Sequence, residues 1–397
     1  MTPAFSLRSL PFLLAALVAV LTFGAGAEPA PAPAPLGLAA TAHQLQAIHP
    51  PEERDVPPAA RSLMTAWKKE LRDFIGRELN AGSYQSATAE RIRDHLKSAL
   101  AREGVPVSRE LRPGTEGPYG WIADLDVRRP AGHDRLLAVT VTQEISCGED
   151  ASLYLFQWEQ ESWRLAFALE SNGYEQVNGA LGSFQFGVSP PDKQGGFFIV
   201  AADINPWCSS SWQGILYRAY RLGGDPLRPV PFFQESEGIF IYADSALSVE
   251  ADRFRVSFQG YQNLDVRILT RDYVRAFRVT GTKAERIGPL AKEPQGFIDE
   301  WIAQPWEIAK RWTIHPERPA LKAWHERLRK RLEKFYTEID QAKTCGPTRT
   351  QSRLYLKPEK GAKPLPSKLY FTVRSQGDDF RMERIDVSVG EGCEGRR

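Results

Sequence analysis

The sequence predicts an α+β protein that is mainly β: a three-unit antiparallel β domain, propeller-like or a sandwich, with an N-terminal helical hairpin and a C-terminal helix-plus-sheet domain. Three observations predict it. From about Trp121 the chain becomes short runs rich in aromatic and β-branched residues, punctuated by Gly, Asn, Asp and Pro. On either side of that region apolar residues recur at steps of three and four, the period of an amphipathic helix. A unit of apolar strand, polar loop, aromatic strand, turn and strand also recurs within it, beginning near Leu136, Phe197 and Phe254.

In chain order, residues 1–27 have the layout of a secretory signal: Arg8 as a positive start, an apolar stretch from Leu10 to Phe23, and Ala25-Gly26-Ala27 as a small-x-small cleavage site. The apolar run is shorter than the roughly 20 residues a spanning helix needs. The expectation is a secreted or periplasmic protein, cleaved near Ala27, with no transmembrane segment in the mature chain. Residues 28–58 are expected to be a Pro/Ala-rich linker, because the alternating prolines of Glu28 to Pro35 remove backbone donors and favour extended conformations.

Residues 59–117 form the expected helical segment. Leu63, Trp67, Leu71, Phe74 and Ile75 define one helical face, and Ile92, Leu96 and Leu100 a second, with Gly104 placed as a left-handed C-terminal cap. Residues 118–290 are the repeated β domain, with Glu159 to Ser162 and Gly223 to Pro226 as turns. In residues 291–397, Phe297, Trp301, Ile308 and Trp312 suit one helical face interrupted at Pro305. A longer helix is expected to carry Leu321, Trp324, Leu328, Leu332, Phe335 and Ile339, followed by a strand over 353–356 and a hairpin turning at Gln376 to Asp379.

An oxidising destination makes two disulfides from four cysteines the natural expectation. Cys147 with Cys208 and Cys345 with Cys393 is the preferred pairing, since each pair lies within one expected domain. No C-x-x-C or neighbouring histidine suggests zinc.

The charge balance, 51 Lys+Arg against 49 Asp+Glu, argues against nucleic acid as a partner. Nucleophile-elbow, metalloprotease, phosphate-loop and dinucleotide motifs are missing, so no cofactor and no metal is expected and no catalytic residue can be named. Asp124-Leu125-Asp126 would place two carboxylates on one strand face, a cation-binding possibility outweighed by an ordinary solvated face. Glu144, Glu149 and Asp203 lie at strand ends or loops, where paired acids could act on a glycan. The basic run from Arg327 to Lys334 is expected to be the wet side of a helix.

The candidate binding residues are Trp207, Ser209, Ser210, Ser211 and Trp212, in a loop that sets aromatic faces beside hydroxyls and a cysteine. The expected function is therefore non-catalytic: binding or scaffolding through the β-domain loops, with a protein or glycan as partner. The alternative is an extracytoplasmic hydrolase acting on a glycan or cell-envelope polymer with paired carboxylates.

Overall fold

The computed structural model describes residues 37–49, 56–82, 84–108, 118–145, 148–171, 184–205, 212–240, 245–264, 267–332, 338–340, 343–356, 366–376, 379–390 and 393. The signal segment, the alternating prolines, Cys147 and Cys208 lie outside these residues.

The first helix, α1 (Leu38–Gln46), falls where the sequence suggested only linker. Leu38, Ala42 and Leu45 recur at helical spacing and are buried, a short period masked by the proline-rich sequence around it. α2 (Pro58–Ala81) starts with proline in its first turn, where no amide bond is lost, and buries Met64, Trp67, Leu71, Phe74 and Ile75. α3 (Ala89–Arg102) is capped by Thr88, whose hydroxyl accepts from the Arg91 amide at 3.3 Å. It ends at Gly104, where φ is +80°.

The helices cover one face of a four-stranded antiparallel meander, β1 (Ile122–Arg128), β2 (Leu136–Ile145), β3 (Gly148–Glu159) and β4 (Ser162–Leu169). Strand alternation sorts its side chains. Leu125, Val139, Val141, Tyr154 and Phe156 join the helical core, while Leu136, Ala138, Leu153, Leu155 and Phe167 pack against the next sheet.

That second, nine-stranded sheet comprises β5 (Gln185–Val188), β6 (Ile199–Asn205), β7 (Trp212–Tyr220), β8 (Phe233–Phe240), β9 (Ala246–Val249), β10 (Arg253–Leu264), β11 (Arg267–Thr280), β12 (Lys283–Arg286) and β13 (Leu290–Ala291). Its path runs β12-β11-β10-β8-β7-β6-β5, with β13 on β11 and β9 on β10. Ile199, Ala201 and Tyr220 face the first sheet. The opposite face encloses Phe198, Val200, Tyr217, Phe254, Phe258 and Phe277. The sheet curls until β5 meets β9: Gln185 Nε2 donates to both the carbonyl and the hydroxyl of Ser245 at 2.9 Å. Gly187 lies so close to Val249 that a Cβ would fall 2.4 Å from Cγ2. No backbone ladder joins β5 to β9 among the described residues.

This topology corrects the three-unit expectation. The units beginning near Phe197 and Phe254 belong to one continuous sheet, since β8 pairs with both β7 and β10. Only the unit beginning near Leu136 has a sheet of its own, so the three are not separate propeller blades.

The C-terminal region begins with α4 (Pro294–Ala303) and α5 (Trp306–Ala309), separated at Pro305 as the sequence suggested, then α6 (Pro319–Leu332). They pack on one face of β14 (Glu338–Ile339), β15 (Lys343–Thr344), β16 (Arg349–Tyr355), β17 (Lys368–Gln376) and β18 (Asp379–Asp386). Ile339, expected at the end of the long helix, instead pairs with Leu354 in the sheet. It remains buried in the same apolar cluster, which is why the hydrophobic period ran past the helix end. Cys345 and Cys393 form a disulfide, as expected. Among the described residues no helix is long and apolar enough to cross a membrane.

Candidate functional site

The first two sheets pack through apolar side chains along most of their shared face, then part at one end to leave a cleft of about 400 Å³. The change is written into β2, whose residues on this face run Leu136, Ala138, Thr140, Thr142. The first two are buried and the second two line the cleft. Asp124 and Asp126 stand opposite Thr142 and Thr140 in the antiparallel register, so carboxylates and hydroxyls share one floor. Glu149, on β3, adds a third carboxylate.

Phe184 and Phe186, with Leu247 of β9, form the opposing apolar wall. The two rings are stacked, 6.2 Å apart with an interplanar angle of 25°. Arg128 lies over Phe186 at 5.4 Å and donates from Nε to Asp126 Oδ2 at 2.7 Å, linking wall to floor. Asp124 accepts from the Leu125 amide at 2.9 Å and from Lys97 Nζ at 3.4 Å. Each aspartate of the D-x-D thus has a cation beside it. Among the described residues, no group of three or more His, Cys, Asp or Glu side chains is arranged to hold a metal ion.

Buried ionic contacts hold the floor against the helices. Lys68 of α2 reaches Asp150 of β3 at 2.5 Å, with both side chains 2% exposed, and also donates to the Ser171 carbonyl. One turn on, Arg72 pairs with Glu170, which accepts from the Tyr154 hydroxyl at 2.9 Å. Burial first, then the neighbouring Glu170, pushes the Tyr154 hydroxyl far above its ordinary pKa, so Tyr154 stays a neutral donor.

Of the acids considered from sequence, Glu149 joins Asp124 and Asp126 in the cleft. Asp203 does not: on β6 it is bound by Arg218 of β7, and burial pushes its carboxyl up against the pull of that guanidinium. Trp207, Ser209, Ser210 and Ser211 lie outside the described residues. The Trp212 backbone opens β7 and pairs with Phe240.

Sequence reasoning missed Phe184, Phe186, Thr140 and Thr142. Their strands were recognisable, and the switch from apolar to hydroxyl residues along one face of β2 was the available signal. The approach of β5 and β9 to that face arises from the curl of the second sheet, a tertiary relationship that strand patterns do not encode. Neither a protein-family model nor a curated protein matches this chain.

Proposed function

We propose that this chain is a secreted or periplasmic, non-catalytic binding protein whose cleft between the first two sheets accepts a glycan. The observation that carries this reading is the stacked pair Phe184 and Phe186 facing Thr140, Thr142, Asp124 and Asp126. Aromatic faces suit the C–H face of a sugar ring, and hydroxyls and carboxylates suit its hydroxyl edge. The N-terminal signal pattern and the Cys345–Cys393 disulfide support the location.

The test is a glycan array followed by calorimetry on the hits. Phe186→Ala and Asp126→Asn should each weaken binding at least about tenfold, the loss expected for a stacking face or a charged hydrogen bond. Unchanged affinity in both variants would remove the cleft as the site.

The hydrolase reading is second. It is favoured by three carboxylates lining one cleft, and it predicts turnover of a bound glycan that Glu149→Gln abolishes while binding persists.

A further inference from the structure

The outer face of the C-terminal sheet carries Arg349, Arg353, Lys368, Arg374 and Arg384, with Arg353 paired to Asp340 and Arg384 to Asp386, and it lies opposite the apolar face that packs on α4 and α6. Backbone register defines its rungs. Arg349 stands opposite Arg374, Arg353 opposite Tyr370, and Tyr355 opposite Lys368. Thr372 stands opposite Arg384.

Like charges directly opposite on adjacent strands are destabilising, because their Cβ atoms lie only about 5 Å apart. The Arg349–Arg374 rung is held by one carboxylate. Glu383 accepts from Arg349 Nε at 3.0 Å and Nη2 at 2.7 Å and from Arg374 Nε at 3.2 Å, with Arg374 Nη2 in ionic contact at 3.1 Å. The Glu383 side chain is 12% exposed, whereas those of Arg349 and Arg374 are 45% and 36% exposed. Both guanidiniums are thus fixed by the same carboxylate. Two donors are pre-oriented side by side above a carboxylate that neutralises only one of their charges. Along the same face, Arg353 lies over the Tyr355 ring at 4.5 Å, and exposed Lys368 approaches that ring at 6.0 Å.

We propose that this face is a second binding surface, separate from the cleft, and that its partner is an anionic glycan bearing carboxylate or sulfate groups. Fixed guanidinium forks match the planar or tetrahedral oxyanions of such a polymer. A nucleic acid, the other polyanion such a face could meet, is the competing occupant that the test separates.

The test immobilises heparin, polygalacturonate and neutral dextran and measures binding of the full chain at two salt concentrations. An oligothymidylate and phosphatidylglycerol vesicles serve as competing anions. Heparin or polygalacturonate should bind, weaken with salt, and exceed dextran, oligothymidylate and vesicles. The triple variant Arg349→Gln, Arg374→Gln, Glu383→Gln removes the fork without stranding the buried carboxylate, and should weaken binding at least about tenfold. Lys368→Gln changes only an exposed side chain and should weaken it by about threefold, which keeps the test decisive if the triple variant does not fold. Lys69→Gln, which removes an exposed cation of α2 outside both surfaces, should leave this binding unchanged. Equal binding by wild type and Lys368→Gln, or by wild type and a folded triple variant, would overturn the proposal. So would tighter binding to oligothymidylate or vesicles than to either anionic glycan.

Discussion

Arg275 of β11 and Glu300 of α4 form a buried ion pair that joins the curled sheet to the C-terminal helices, their side chains 9% and 3% exposed. Around it, Arg275 Nε donates to Glu237 at 2.6 Å and Arg286 Nη2 to the other oxygen of Glu300 at 2.5 Å. Arg275 also lies over the Tyr273 ring at 4.8 Å. The residues come from three strands and one helix, so the network requires β8, β11, β12 and α4 to be assembled together.

Removing Arg275 should therefore be costly. Arg275→Met leaves Glu300 buried with half its donors and Glu237 with none from this network, and should lower stability by about 3–5 kcal/mol in a denaturant titration. Arg275→Lys should recover only part of that, because one ammonium cannot reproduce a fork that meets two carboxylates. Full recovery by lysine would show that charge alone matters at this junction.

The contrast between this network and the helices explains what the sequence could reveal. α2 and α3 were legible to within a few residues, since Trp67, Leu71 and Phe74 encode a local period and Gly104 marks a local end. The β character of the centre was equally plain in its alternating aromatic residues. Which strand lies beside which was not, because the pairing of β8 with β10, or of Arg275 with Glu300, depends on contacts between distant residues. The candidate cleft was not legible for the same reason: Asp124 and Asp126 stood out as a D-x-D but read as a solvated strand face, and Phe184 and Phe186 look like ordinary strand residues until the sheet curls over them.

The turn between β3 and β4 offers a gain in stability. Gln160 and Glu161 both have positive φ, 47° and 62°, the geometry of a two-residue hairpin turn that favours Asn-Gly. Neither residue adopts it without strain. Gln160→Asn combined with Glu161→Gly should stabilise the protein by about 0.5–1 kcal/mol, seen as a higher thermal midpoint. The exposed bond from Arg164 to Gln160 at 2.7 Å is lost in the exchange and offsets only part of the gain. A lower midpoint would mean that this side-chain contact outweighs the backbone strain.

His325 should make the C-terminal region sensitive to acid. It is fully buried against Trp301 and Trp306, and its Nε2 donates to the Trp301 carbonyl at 3.0 Å. Burial lowers its pKa below the ordinary 6.5, and the carbonyl bonds and nearby Glu326 only partly oppose this, while Arg329 adds to the lowering. The unfolded chain consequently takes up the proton at a higher pH than the folded one. The stability from neutral His325 is complete above pH 6.5 and is lost as pH falls through the folded value. Thermal midpoints measured from pH 7.5 to 5 should fall less steeply in His325→Gln than in wild type. Parallel curves would assign the acid sensitivity to other groups.

The Cys345–Cys393 disulfide closes a segment with a sequence separation of 48, and that segment contains β16, β17 and β18, the three longest strands of the C-terminal sheet. Constraining a loop of this length in the unfolded chain is worth about 4 kcal/mol by the chain-entropy relation. The bridge also ties the chain end to the outer face, where the Gly390 amide donates to Gln351 at 3.4 Å and a Cβ on Gly390 would lie 2.0 Å from Arg384 Nη2. Cys345→Ala with Cys393→Ala should therefore lower the denaturation midpoint and speed proteolysis after β18, while the α2–α3 region keeps its protection from hydrogen exchange. If amide exchange instead rose equally in α2 and in β17, the C-terminal sheet would be unfolding together with the whole chain, and the disulfide would be stabilising one cooperative unit instead of a separable one.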